Sequence, residues 1–164
     1  MADTPQPLDP IQLSAYFSLI EVSSLLRHSV EQQLRDAGDL SYVQFQLLAR
    51  LRDAPGGSQR MTELADGVVY SRSGLTYQVG LLDTAGLVTR SPSAEDDRGV
   101  TVTITDSGRE VLARVFPGHI ELVRQLFLQP LSARDVESLA DILSRVREHM
   151  RSIPPRSAAP RRRR

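Results

Sequence analysis

A chain of 164 residues has room for one ordinary core, or one compact domain with helical arms, and 40% hydrophobic with 24% charged residues is the mix of a globular protein that folds in water. With no cysteine, disulfides, thiolate zinc sites and cysteine redox switches are excluded. The formal net charge is zero, divided as −2 over residues 1–60, −3 over 61–109 and +5 over 110–164, so any contact with a polyanion must come from local placement of arginines.

All the basic residues are arginine, which fits either a base-composition bias or an adaptation for binding. No stretch reaches the ~18–20 apolar residues that span a bilayer, and the N-terminus MADTPQPLDP has neither a basic start nor an apolar signal core, so the expectation is a cytoplasmic protein without membrane contact.

Residues 1–10, with Pro5, Pro7 and Pro10, read as an irregular arm. From Ile11 to Ala37 the chain lacks proline and glycine, and Phe17, Ile20, Leu26, Val30 and Leu34 recur at helical spacing, which predicts one long helix ending at Gly38. Ser41 and Gln44 form a capping box, with Leu40 placed to staple onto Phe45, and open a second helix that Ala54-Pro55-Gly56-Gly57-Ser58 terminates.

Met61, Leu64, Ala65 and Val68 predict a short amphipathic helix, and Leu75, Val79 and Leu82 form the inner face of another, begun by Ser71 and closed at Gly86. Two short helices joined by a tight turn are the helix-turn-helix arrangement, whose second helix is free to enter a major groove. Leu87–Pro92 and the alternating Val100–Thr105 predict a β-hairpin, with Ser93–Gly99 as its wing.

Beyond it, Ser107 and Glu110 read as a capping box for a helix that Pro117-Gly118 should kink and that resumes to Pro130. Ser132 caps a last helix bearing Val136, Leu139, Ile142, Leu143 and Val146. The fold class is therefore mainly α with a small β-wing. A winged helix-turn-helix domain, residues 39–105, is flanked by helical dimerisation regions, 11–38 and 106–150, with a disordered basic tail at 151–164. The Arg161–Arg164 run is either a solvated tail or a source of sequence-blind phosphate contacts.

With Leu75, Val79 and Leu82 inward, the polar face of the second short helix points out. Ser71 at its positive end suits a phosphate, Arg72 a guanine, Gln78 an adenine if it faces the groove, and Thr76 or Tyr77 a thymine methyl, with Ser73 beside them. Gly80 is costly inside a helix and implies close approach, of a ligand or of the neighbouring helix. Arg90 is either a phosphate clamp or a partner for Asp96, and Arg60 is a weaker phosphate candidate. The first and last helices carry more apolar residues than one core needs, notably Ile11, Leu13, Phe17, Leu139, Ile142, Leu143 and Val146. Paired across a twofold axis they would bury ~2,000 Å² and set two recognition helices ~34 Å apart, facing a pseudo-palindromic site on double-stranded DNA.

The runs Met61–Ala65, Ser71–Thr76, Leu82–Arg90, Asp96–Gly99 and Thr105–Gly108, in that order and spacing, resemble the multiple-antibiotic-resistance-regulator (MarR) family over roughly residues 11–150. The resemblance implies a homodimeric transcription regulator, by default a repressor. It places Asp96 as the residue that holds the wing, and Arg98, next to Gly99, as the one that enters the minor groove. Asp97 departs from the family pattern, putting a repulsive charge where a basic residue is commoner. The resemblance also implies a small aromatic or phenolic effector, for which Tyr16, Phe17, His28, Phe45 and Phe116 are candidate wall residues.

No glycine-rich phosphate loop, nucleophile elbow or metal-binding helix motif is present, and His28, His119 and His149 are dispersed, so neither an enzyme nor a metal or cofactor site is expected. The alternative is a winged helix used for protein contacts without sequence-specific DNA binding, which the negative charge of residues 61–109 favours.

Overall fold

Asp9 starts the first helix by accepting from the backbone N–H groups of Ile11 and Gln12, while the Gln12 side chain accepts from Asp9 N, so helix begins at Pro10, inside the predicted arm. The structure, a computed structural model of the chain, describes residues 6–67, 72–93 and 99–153. Two compact units divide it, Met1–Val123 and Arg124–Arg164.

In the first unit, α1 (Pro10–Gly38) leads to α2 (Tyr42–Asp53), a 3-10 turn (Pro55–Gly57), β1 (Ser58–Arg60), α3 (Met61–Gly67), α4 (Arg72–Thr84), β2 (Val88–Pro92), β3 (Val100–Ile104) and α5 (Asp106–Val123). In the second, a π-helical turn (Arg124–Leu128) precedes α6 (Ala133–Ser152). No helix among the described residues is long and apolar enough to cross a membrane.

The end of α1 falls at Gly38, as the sequence predicts, and the left-handed residue is the next one, Asp39, φ 52°. Gly38 is needed for space instead, since a Cβ there would run into Val115 Cγ2 on α5. The same contact line carries Arg114 Nε donating to Ala37 O at 3.1 Å, a cation placed on a carbonyl that the end of α1 leaves open, and Gln33 Nε2 donating to Val115 O at 3.2 Å.

Ser41 and Gln44 cap α2 reciprocally, as expected, and send Val43, Phe45, Leu47, Leu48 and Leu51 into the core. They meet Val30 and Leu34 of α1, Leu64 of α3, the inner face of α4, and Leu112 and Val115 of α5. The apolar pattern of α1 is therefore only half used within the chain: Val30 and Leu34 are buried, whereas Phe17 and Ile20 stand exposed.

The sheet has three antiparallel strands in the order β1-β3-β2. The hairpin β2–β3 was expected, with Val88 opposite Ile104 and Pro92 opposite Val100. The added strand β1 pairs Ser58 with Thr103 and Arg60 with Thr101, and Ser58 Oγ lies 2.7 Å from Thr103 Oγ1. Alternation in β3 turns Val102 and Ile104 into the core.

One expectation about α5 is corrected. Its N-terminus is held by Thr105, not Ser107: Thr105 Oγ1 accepts from Gly108 N at 3.1 Å and donates to Gly86 O at 2.7 Å, joining the helix start to the end of α4. Pro117 lies inside α5, which is continuous through Gly118 to Val123, and a π-helical turn follows. In the second unit Ser132 caps α6 as predicted, accepting from Asp135 N while the Asp135 carboxylate accepts from Ser132 N and Oγ.

Candidate nucleic-acid interface

The centre of the candidate site is α4. Leu75, Val79 and Leu82 are buried on one side and anchor the helix to the core. Ser73, Thr76 and Tyr77 are exposed on the other, Tyr77 with 65% of its surface accessible. The predicted inner and outer faces are therefore both found. Gln78 sits between them: it is half-buried, and its Oε1 is enclosed without a hydrogen-bond partner among the described residues, so the carbonyl end is turned to the protein. Arg72 opens the helix. Ser71, Asp96 and Arg98 lie outside the described residues, as does Val68 of the first short helix.

The path from α4 into the hairpin is fixed by a paired hydrogen-bond closure. Leu87 N donates to Leu82 O and Gly86 N to Asp83 O, at 2.9 and 3.0 Å, with Gly86 at φ 72° where only glycine is comfortable. The chain reverses there into β2, whose Val88 is buried while Thr89, Arg90 and Ser91 face out. At the far end Ser93 N donates to Gly99 O at 2.8 Å, closing the hairpin ahead of its connecting residues, so Gly99 holds the base of the wing through its backbone.

Arg90 is engaged within the protein. Its Nε lies 2.8 Å from Asp83 Oδ2, so its partner is the end of α4, an option that sequence reasoning did not include. A carboxylate in the last turn of a helix opposes the helix dipole, and the guanidinium offsets it. Arg60 stands at the end of β1 beside the start of α3, where its backbone N–H donates to Glu63 Oε2 at 3.0 Å.

Gly80 lies on the outer side of α4. A Cβ built there meets nothing within 4 Å among the described residues, so packing against α3 (Met61–Gly67) is not its reason. Glycine in a helix interior costs about 1 kcal/mol relative to alanine, so the fold is slightly weakened at this position without return among the described residues.

The candidate effector residues do not converge on one place. Tyr16 and Phe17 are an exposed ring pair, 5.3 Å between centroids, on the first turns of α1. Phe45 and Phe116 pack at 5.7 Å in a cluster that sequence reasoning missed, with His119 4.7 Å from Phe45 and the Arg52 guanidinium 4.3 Å from the Phe116 centroid. Burial lowers the His119 pKa below the usual 6.5, since the charged imidazolium is poorly solvated there.

Of the five, only His28 lines the cleft of about 680 Å³ on the C-terminal half of α1, together with Ser29, Gln32, Gln33, Asp36, Ala37 and Leu122 of α5. Its polar lining is one imidazole, one hydroxyl, two amides and one carboxylate. Among the described residues no three metal-ligating side chains gather.

Comparison with known proteins agrees with this geometry. Residues 38–99 match the family model described as MarR family. The chain is 28% identical over 148 residues to the HTH-type transcriptional repressor YetL of Bacillus subtilis, covering 88% of each. Among solved structures it is similar to Sco3205, a MarR family transcriptional regulator from Streptomyces coelicolor in complex with DNA, at 34% identity and a TM-score of 0.86, covering 95% of this chain and 96% of that one. It is also similar to AbsC, a MarR family transcriptional regulator of the same organism, at 30% identity and a TM-score of 0.85, covering 91% of this chain and 100% of that one.

Proposed function

The chain belongs to the MarR family of transcriptional regulators, and we propose that it acts as a homodimeric repressor reading a pseudo-palindromic site on double-stranded DNA. The observation that carries this is the division of α4: an apolar side locked into the core by Leu75, Val79 and Leu82, and an outer side of Ser73, Thr76 and Tyr77 standing beside the β2–β3 hairpin. A helix so anchored presents short hydroxyl and ring groups to base edges, and a hairpin next to such a helix suits the adjacent minor groove.

Ser71 and Arg72 take the backbone and base contacts at the start of α4, and Arg98, in the sequence joining β2 to β3, is the minor-groove residue, with Asp96 the residue that structures the wing. Gln78 contributes less than its neighbours, because its carbonyl oxygen faces inward. The exposed apolar side chains of α1, Ile11, Phe17 and Ile20 among them, supply the surface for a second copy. The name of the Bacillus relative, a repressor, and the DNA bound by the Streptomyces neighbour support the reading. A dimer over a promoter blocks polymerase without a further contact surface.

The test is selection of bound fragments from a random duplex library by the intact protein and by Arg98→Ala, side by side at near-physiological salt. Enrichment of a two-half-site palindrome that the variant binds much less tightly is the expected result. Failure of the intact protein to enrich any sequence would refute DNA reading and leave a winged helix used for protein contacts.

A further inference from the structure

Among the described residues, six glycines of the first unit have a reason inside the chain, and Gly80 shows none. A Cβ at Gly38 would meet Val115, at Gly57 the Arg109 guanidinium, at Gly108 the Leu87 carbonyl and at Gly118 the Gln33 amide. Gly56 and Gly86 have φ of 66° and 72°, where a side chain is strained. Gly80 has neither: its φ is ordinary for a helix, and among the described residues nothing lies within 4 Å of a Cβ built there. Its carbonyl even accepts a hydrogen bond from Thr84 Oγ1 at 2.9 Å, so no unsatisfied backbone group explains the bare position.

What the missing side chain does is set by helix geometry. Ser73, Tyr77 and Gly80 are four and three residues apart and share the outer face of α4, opposite Leu75, Val79 and Leu82. Side chains on a helix lean toward its N-terminus, so any side chain at position 80 would cover the turn that carries Thr76 and Tyr77. Its absence leaves that turn bare and permits close approach by another molecule.

We propose that Gly80 is a specificity-determining position, a notch on the outer face of α4 that lets the helix backbone seat against DNA and keeps Thr76 and Tyr77 uncovered for base edges. The group it fits is small and apolar, the methyl of a thymine in the major groove. The inference rests on the DNA-reading function proposed above.

The experiment uses the full-length protein, with Gly80→Ala and Gly80→Leu compared with wild type. Each is carried through duplex selection, affinity measurement on the wild-type site over a range of salt concentrations, and thermal denaturation. Gly80→Ala is expected to raise the melting midpoint by about 2–4 °C, because a helix-favouring residue enters open space. It is expected to bind the wild-type site about tenfold less tightly, the loss typical of one misplaced methyl in a fitted contact, with Gly80→Leu losing more. The slope of affinity against salt should not change, since no phosphate-binding charge is removed, and the selected sequence should change at one position of each half-site.

Unchanged affinity and sequence preference in a stabilised Gly80→Ala would overturn the proposal while leaving DNA reading intact. A lowered midpoint would also overturn it, by revealing a packing need at Gly80. If wild type itself enriches no sequence, DNA reading fails and the notch fails with it.

Discussion

Arg90 Nε and Asp83 Oδ2, 2.8 Å apart, tie the outer strand of the hairpin to the last turn of α4. The wing and the recognition helix are thus joined by a side-chain link in addition to the Gly86 turn. The two side chains retain 42% and 31% of their surface, so the pair is solvent-screened and its coupling is about 0.2–1 kcal/mol. Asp83→Ala and Arg90→Ala are expected to be non-additive in a double-mutant cycle followed by denaturation, and to weaken DNA binding to a similar degree. A phosphate clamp behaves differently: Arg90→Ala alone would reduce the salt slope by about one, and Asp83→Ala would leave it alone.

Gly108 enters α5 beneath the turn that follows α4. A Cβ there would collide with the Leu87 carbonyl, a backbone atom that also accepts from Thr105 N, and would press on Ile104. Gly108→Ala should destabilise the protein by about 1–3 kcal/mol, the range for overpacking a filled site. Urea denaturation with an unchanged slope and a lower midpoint is the expected observation; an unaltered midpoint would show that the turn yields freely.

His119 makes stability depend on pH. Its folded-state pKa is lowered by burial, so the unfolded chain binds the proton more readily. By linkage, its contribution is intact well above pH 6.5 and is lost progressively as the pH falls below that value toward the lowered folded-state pKa. Melting midpoints measured from pH 7.5 down to about 5 should fall more steeply for wild type than for His119→Gln, which cannot titrate. Parallel profiles would remove His119 as the source.

The exposed half of α1 offers a test of self-association. Phe17 and Ile20 are 61% and 49% accessible within the chain, so charging them leaves the core of the protomer untouched. The double variant Phe17→Asp, Ile20→Asp is expected to sediment as a folded monomer and to lose most of its affinity for a two-half-site duplex, because the two half-sites are no longer bound together. A variant that still sediments as a dimer would place the interface elsewhere.

Features set by neighbours a few residues away were legible in the sequence by itself. Capping residues and helical periodicity located α2, the start of α6 and the two faces of α4, and alternation located the β2–β3 hairpin, because side-chain direction along a helix or strand follows from its repeat. Only the tertiary structure decided what depends on residues distant along the chain. Ser58–Arg60 is too short to show a period and becomes a strand by pairing with Thr101–Thr103. Thr105 rather than Ser107 caps α5, since its hydroxyl also reaches Gly86, and Arg90 takes Asp83 because the Gly86 reversal folds β2 back against α4. The three conspicuous glycines separate on the same ground: Gly86 by its backbone angle, Gly38 by the methyl of Val115, and Gly80 by the open space that a Cβ would enter among the described residues.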